Sequence, residues 1–315
     1  MNTSKAMQAI HAHDYGGPEV LMLEETPLPQ PDADQVLIRL KAAGVNPADW
    51  KMRAGFYKQF MQLQFPWTPG MEGAGIIEAV GANVTSFKKG EEVYGIVTGG
   101  YSEYALAKAS EIQPKPASLT FEEAASIPVG VLTAWGVVID AAKVEAGQYV
   151  LVHGAAGGVG AYAVQLARWK GAHVTGTASA SNVEFVRSLG AENVIDYQAT
   201  PFETVVRDVD VVIDTVGGDI PERSFQVLRP GGVFVTVAAR LAEDAGKAQN
   251  VKATGAGRAP AENLKQVSEL IEAKQLKPVT GAKFSLADAR QAQELSQTGH
   301  GRGRIILRIG NGDSK

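Results

Sequence analysis

The chain has no cysteine in its 315 residues. That absence excludes disulfides, thiolate nucleophiles and any cysteine-ligated metal centre. No apolar run is long enough to span a bilayer, no block of like charge stands out, and no internal repeat or low-complexity tract is present. The opening stretch, MNTSKAMQAIHAHDYGG, lacks the apolar core of a secretory signal. A net charge of -4 and a pI near 5.8 give no electrostatic reason for a nucleic-acid partner. Together these absences predict a cytoplasmic protein that binds neither nucleic acid nor membrane. Histidines are few and scattered: His11, His13, His153, His173 and His300. His11 and His13 would share a face if their segment is a strand, but two neutral rings at a domain start read first as surface groups.

With 45% hydrophobic and 20% charged residues, the composition is that of an ordinary globular protein, and 315 residues exceed one compact core. Two domains are expected. Tyr149 to Gly160, YVLVHGAAGGVG, joins an apolar run to a glycine cluster and then to the helical pattern AYAVQLARWKG. A strand turning sharply into a helix leaves unpaired N–H groups and a positive dipole end facing outward, the arrangement that holds a phosphate. Ala155, Gly157 and Gly160 fall on the spacing of a G-x-G-x-x-G fingerprint, with an additional glycine at Gly158. A dinucleotide is therefore the first ligand to consider, and Ala156, Gly157, Gly158 and Val159 are its candidate contacts. A tight strand-to-helix turn with no ligand is the plain alternative.

The following pattern favours the dinucleotide. HVTGTAS, NVIDY, DVVIDT and GVFVTVA read as further strands, with a helix from Ser181 to Leu189 and a turn at Arg229-Pro230-Gly231-Gly232. Short, wholly apolar strands imply a parallel sheet covered on both faces. Ligands of such a sheet sit outside the carboxyl ends of its strands, near Gly157, Thr177, Val216 and Val237. NAD would call for an acidic side chain after the second strand, yet Gly176 to Asn182 has no carboxylate. NADP is the better match. Thr177, Ser179 and Ser181 could donate to its 2′-phosphate, with Tyr197 at the end of the third strand. Arg187 is the nearest cation and reads more simply as a surface residue.

The residues before the glycine cluster have a different texture. Alternating runs such as QVLIRLKAAGV, GAGIIEAVG and EEVYGIV, separated by turn clusters, indicate a small antiparallel β domain. Past the fifth parallel strand, Leu241 to Gly257 reads as a loop. Two helical patterns follow, and HGRGRIILRI reads as a strand returning to the first domain. The expected division is residues 1–125, 126–260 and 261–315, the last returning to the first.

Motifs over nearly the whole length resemble the medium-chain dehydrogenase/reductase superfamily, on its zinc-independent quinone oxidoreductase branch. They are AGVNPADWKMRAG, PGMEGAGIIEAVG, KPASLTFEEAASIPVGVLTAW, HGAAGGVG, SLGAENVIDY and TGHGRGRIIL. The resemblance implies an α/β fold, with a GroES-like, mainly antiparallel β domain and a Rossmann doubly wound parallel sheet. It also implies NADPH as hydride donor and a homodimer. By the same similarity, Asn46, Thr133 and Arg304 lie near the cofactor, and Asp49 and Tyr57 face the substrate.

Zinc-using relatives place a cysteine, a histidine and a second cysteine where this chain has Asn46, Met71 and Val129. An amide, a thioether and an isopropyl group do not make a zinc site, so no metal is expected. Substrates must then accept hydride readily, as quinones and α,β-unsaturated carbonyls do, while hydrogen-bond donors stabilise the developing oxyanion. Asn46, Asp49 and Tyr57 are the catalytic candidates. Each has a bland counterpart: Asn46 as the turn residue before Pro47, Tyr57 as part of an apolar rim with Phe56 and Phe60. Glu72 reads as structural. A non-catalytic NADPH-binding sensor or structural protein is the rival function, and an alcohol dehydrogenase is a weaker third, since nothing obvious polarises an alkoxide.

Overall fold

A computed structural model describes residues 6–310. Residues 1–5, from the stretch read as lacking a secretory signal, and residues 311–315, from the expected returning segment, lie outside the described residues. The chain divides into two units: residues 6–129, 261–272 and 280–310 form one, and Gly130–Pro260 with Ala273–Val279 the other.

The first unit begins with a two-stranded antiparallel ribbon of β1 (Ala6–His11) and β2 (Met22–Pro27). Next come β3 (Gln35–Val45), helix α1 (Pro47–Arg53), β4 (Glu72–Val80), β5 (Glu92–Ile96), β6 (Tyr104–Lys108) and β7 (Ile112–Pro114). Helices α2 (Phe121–Ala125) and α3 (Pro128–Trp135) follow, the chain passing to the second unit within α3. β3 pairs antiparallel with β4 and with β6, and the apolar positions of the three close over a core that includes Ile38, Leu40, Ile77 and Val93.

The second unit is built on six strands: β8 (Tyr149–His153), β9 (His173–Ala178), β10 (Asn193–Asp196), β11 (Val209–Asp214), β12 (Leu228–Thr236) and β13 (Lys252–Gly255). All pair in parallel, in the order β10-β9-β8-β11-β12-β13. This is a doubly wound sheet, whose order reverses beside β8. Helices α4 (Gly160–Trp169), α5 (Val183–Ser188) and α6 (Ile220–Phe225) make its crossovers, and Leu151, Val212 and Phe234 lie in its core.

The structure departs from expectation twice here. The stretch read as a loop contains β13, a sixth strand that pairs with β12 although its composition is not β-rich. The expected turn at Arg229 to Gly232 lies inside β12, where the pairing jumps from Val209↔Leu228 to Val211↔Val233. Residues 229–232 thus bulge opposite Asp210, whose carboxylate braces them by accepting from Arg229 Nε (2.6 Å) and Tyr149 N–H (2.7 Å).

The chain then returns to the first unit. α7 (Leu264–Glu272), β14 (Thr280–Ser285), α8 (Ala289–Gln297) and β15 (Arg304–Arg308) complete it. β15 pairs antiparallel with β3, Ile305 opposite Val45. β14 lies parallel to β15, a parallel pair in an otherwise antiparallel sheet.

Candidate active site

The turn from β8 into α4 is built almost entirely of backbone. Gly154 has φ +67, the left-handed region that glycine enters freely, and its carbonyl accepts the Gly157 N–H at 2.9 Å. The glycines of the turn serve different purposes. A Cβ on Gly160 would lie 2.2 Å from the Gly154 carbonyl oxygen, so that position closes the helix against the strand. A Cβ on Gly157 would meet only that same oxygen, at 3.2 Å. The Gly157 side of the turn is therefore open. Val159 caps α4 without a side-chain hydrogen bond; the Ala161 and Tyr162 N–H groups donate to the Gly157 and Val159 carbonyls, and no described residue takes the Gly158, Val159 or Gly160 N–H.

Two buried polar groups hold the strand ends around this turn. His153 bonds Thr177 Oγ1 through Nδ1 and Ser224 Oγ through Nε2, both at 3.2 Å. Burial lowers its pKa from 6.5 to about 4, so the ring is neutral at physiological pH. Asp214, fully buried, accepts the Val216 and Gly217 N–H groups on Oδ1 (2.8 and 2.9 Å) and the Thr236 hydroxyl on Oδ2 (2.8 Å). Thr236 Oγ1 in turn accepts from the Ala238 and Ala239 N–H groups. One carboxylate thereby shapes two neighbouring loops at the carboxyl edge of the sheet.

The first unit contributes a knot of buried side chains. Asn46 precedes α1, and Asp49 reaches back to its N–H at 2.8 Å. Both polar atoms of the Asn46 side chain are engaged: Nδ2 donates to Glu72 Oε1 at 2.8 Å, and Oδ1 accepts from Arg304 Nη2 at 2.6 Å. Arg304 also pairs with Glu72, whose other oxygen accepts the Val129 N–H at 2.7 Å. Gly44 makes room, since a Cβ there would sit 2.2 Å from Glu72 Oε1. Asp49 accepts from Tyr101 Oη at 3.0 Å, while its Oδ1 is buried with no partner among the described residues. Burial first, and the nearby Glu72 charge after it, raise Asp49 from 3.8 to about 7, against the hydrogen bonds from Asn46 and Tyr101.

The structure gathers the expected residues into groups. Ala156, Gly157, Gly158 and Val159 form the turn, and Val216 (56% exposed) and Val237 follow β11 and β12 on the loops that Asp214 organises. Thr177 turns inward, its hydroxyl taken by Gly154 N–H and His153, and so braces the turn instead of presenting a donor. Ser179 clusters with Ser181 and Asn182 after β9, and Tyr197 is half-exposed beside them, its N–H on Ala178. Arg187 pairs with Glu184 at 2.5 Å. Thr133 lies partly buried in α3. Arg304 is neither an exposed cation nor a free one, because it is 4% exposed and spent on Glu72 and Asn46. Tyr57 is 38% exposed, and no described residue takes its hydroxyl; its neighbours Phe56 and Phe60 are 65% and 83% exposed.

Sequence reasoning missed Asp214 and Thr236, while Glu72, read as structural, ties Asn46 and Arg304 to the Val129 N–H. The signal for Asp214 and Thr236 was a polar residue closing an otherwise apolar strand, as in DVVIDT and GVFVT.

Comparison with known proteins places this architecture. Residues 32–117 match the family model described as alcohol dehydrogenase GroES-like domain, and residues 189–307 the one described as zinc-binding dehydrogenase. A quinone oxidoreductase of Mus musculus is 35% identical over 96% of this chain and 98% of its own. The solved quinone oxidoreductase of Coxiella burnetii aligns with TM-score 0.91 at 35% identity, over 97% of this chain and 100% of that one. The CurK enoyl reductase aligns with TM-score 0.88 at 26% identity, over 96% and 99%. The chain belongs to the quinone oxidoreductase family of the medium-chain dehydrogenase/reductase superfamily. It is an oxidoreductase, and its family implies a nicotinamide cofactor and a small-molecule substrate. The uncapped start of α4 and the open side of Gly157 fit such a cofactor's pyrophosphate. No helix among the described residues is long and apolar enough to cross a membrane.

A zinc ion is a poor fit where zinc-using relatives bind it. Val129 offers no donor side chain, and both polar atoms of Asn46 are engaged with Glu72 and Arg304.

Proposed function

We propose that this protein is an NADPH-dependent, zinc-independent reductase acting on quinones or α,β-unsaturated carbonyl compounds. The observation that carries the proposal is Asn46, an amide locked between Glu72 and Arg304 at a position where a metal would need a free ligand. With no Lewis acid to polarise a simple ketone, the acceptor must already be electron-poor. The mouse and Coxiella relatives, both quinone oxidoreductases, and the CurK enoyl reductase support this substrate range.

The Gly157 turn would hold the pyrophosphate, and the loops after β11 and β12, carrying Val216 and Val237, would flank the rest of the cofactor. Thr133, Asn46 and Arg304 stay assigned near its reactive end, the last two as positioning residues. The Ser179, Ser181 and Tyr197 group, without a carboxylate, favours a 2′-phosphate. Bound there, the cofactor supplies hydride. Tyr57 is the donor we assign to the acceptor oxygen, and the exposed Phe56, Phe60 and Met61 suit an apolar ring. Asn46 and Asp49 support it by fixing the start of α1. A cytoplasmic homodimer completes the proposal, with sedimentation as its check.

A second reading, an NADPH-binding sensor or structural protein without turnover, draws on the same burial, because Asn46 and Asp49 are both shut away from solvent. Purified protein assayed with NADPH and NADH against benzoquinone, phenanthrenequinone and a simple enone separates the two. Turnover that prefers NADPH and survives exhaustive chelation is expected. Tight NADPH binding with no turnover across the panel establishes the second reading, and activity lost to EDTA and restored by zinc overturns the metal-free proposal.

A further inference from the structure

The amino-terminal ribbon carries a group of side chains with no part in the proposed reaction. His11 ends β1, His13 lies two residues on, and Glu24 stands on β2, opposite Ala9. His11 Nδ1 is 3.1 Å from Glu24 Oε2, and His13 Nε2 is 2.9 Å from Glu24 Oε1. Donor atoms of all three lie within 4.8 Å of one another, and no other group of three such residues converges in this way among the described residues.

We propose that His11, His13 and Glu24 form a binding site for a divalent late transition metal, with zinc as the reference ion. Bond lengths of about 2.0–2.2 Å to nitrogen and oxygen place the donors of a tetrahedral site about 3.3 Å apart. His11 Nδ1 and His13 Nε2 stand 3.1 and 3.0 Å from one oxygen, Glu24 Oε2, close to that spacing, so an ion can enter with small adjustments of the side chains once each ring turns a lone pair to it and carries its proton on the other nitrogen. Two imidazoles and a carboxylate are borderline-soft donors that suit zinc, nickel or copper over calcium or magnesium. A fourth position is left to solvent.

Two features make the triad a prepared site. The backbone between the histidines is pinned, since Ala12 and Trp67 exchange N–H···O bonds at 2.9 Å in both directions and Ile10 N–H bonds Tyr101 O at 2.8 Å. The donors are graded in exposure, His11 at 10%, Glu24 at 29% and His13 at 54% of the side chain, so an ion can enter from solvent without facing bulk water on every side. None of the three occupies a position that zinc-using relatives fill. A bound ion would staple β1 to β2 and leave the reaction chemistry untouched.

The test is titration of the metal-stripped full-length protein with zinc by calorimetry, and with cobalt by visible absorption. A single saturable equivalent is expected, with the strong d–d bands of four-coordinate cobalt and a raised thermal midpoint in zinc. His13→Ala and Glu24→Gln, both surface changes, should each weaken zinc at least about 10-fold and abolish the thermal shift. His300→Ala, on a histidine outside the triad, should match the parent. Equal zinc affinity in the parent, His13→Ala and Glu24→Gln proteins, or no saturable equivalent in the parent, overturns the proposal. NADPH oxidation enters neither readout, so failure here is separable from failure of the proposed activity.

Discussion

The turn after β8 and the knot around Glu72 do their work with opposite materials. The turn is backbone: glycines at Gly154, Gly157 and Gly160, and a helix whose start no side chain caps. The knot is side chain: an amide, two carboxylates, a guanidinium and a phenol, all buried. Backbone placed by local geometry tolerates no Cβ in its way but needs little from afar. Buried charges must find complementary partners, and each is costly alone.

The largest expected effect is in the knot. Glu72→Gln removes the only charge that, among the described residues, pairs with the buried Arg304 guanidinium and should cost about 3–5 kcal/mol in urea unfolding. Glu72→Gln combined with Arg304→Met should recover a large part of that loss, and if the double variant is as unstable as the single one, the ion pair is not what holds this region.

Next comes the turn, where two glycines should fail differently. Gly157→Asp puts a carboxylate into the open side and should weaken NADPH at least about 100-fold, close to 3 kcal/mol, in a fluorescence titration while the protein stays folded. Gly160→Ala drives a Cβ into the Gly154 carbonyl and should lower stability by about 3 kcal/mol. Unchanged affinity in Gly157→Asp would break the assignment of the turn.

A smaller pair of effects is read in pH. Asp49, raised to about 7 in the folded protein, gives stability that is full below pH 4 and falls as pH rises toward 7, because the folded state holds a proton that the unfolded state has lost. His153, lowered to about 4, does the reverse: its contribution is lost as pH falls from 6.5 to 4, because the unfolded state takes up the proton first. The two slopes oppose each other across that window, each limited to about 1.4 kcal/mol per pH unit. Asp49→Asn should expose the rise in stability with pH, and His153→Gln the fall, when urea unfolding is followed from pH 4 to 7. Parallel curves in both variants would show that neither buried group titrates as its surroundings dictate.

Smallest is the exposed candidate. Tyr57→Phe keeps the ring and removes the hydroxyl, and kcat/KM for a quinone should fall about 10-fold with NADPH affinity unchanged. An unchanged kcat/KM would leave the acceptor oxygen to another donor.

The comparison also explains what could be read from residues alone. HGAAGGVG announced a strand-to-helix turn because glycine spacing and helix periodicity are local, and the short apolar strands of the second unit are nearly self-describing. Lys252–Gly255 was not, since KATG has little β character and is a strand only because β12 offers it an open edge. The same holds for function. At the positions the family resemblance singled out, Asn46, Met71 and Val129 spoke against a zinc ligand set, yet nothing in the sequence spacing placed Arg304 on Asn46 Oδ1. His11 and His13 read as surface groups because their common partner, Glu24, arrives on the next strand.

The sequence by itself determined the doubly wound sheet, its glycine turn and the absence of cysteine chemistry, because φ/ψ limits and side-chain periodicity act over a few neighbouring residues. Only the tertiary structure decided that Arg304 would be buried against Glu72, 232 residues away, and Arg53 against Gln293, 240 residues away. Pairing of buried charge depends on which atoms the whole chain brings within hydrogen-bond reach, and no local rule carries that information.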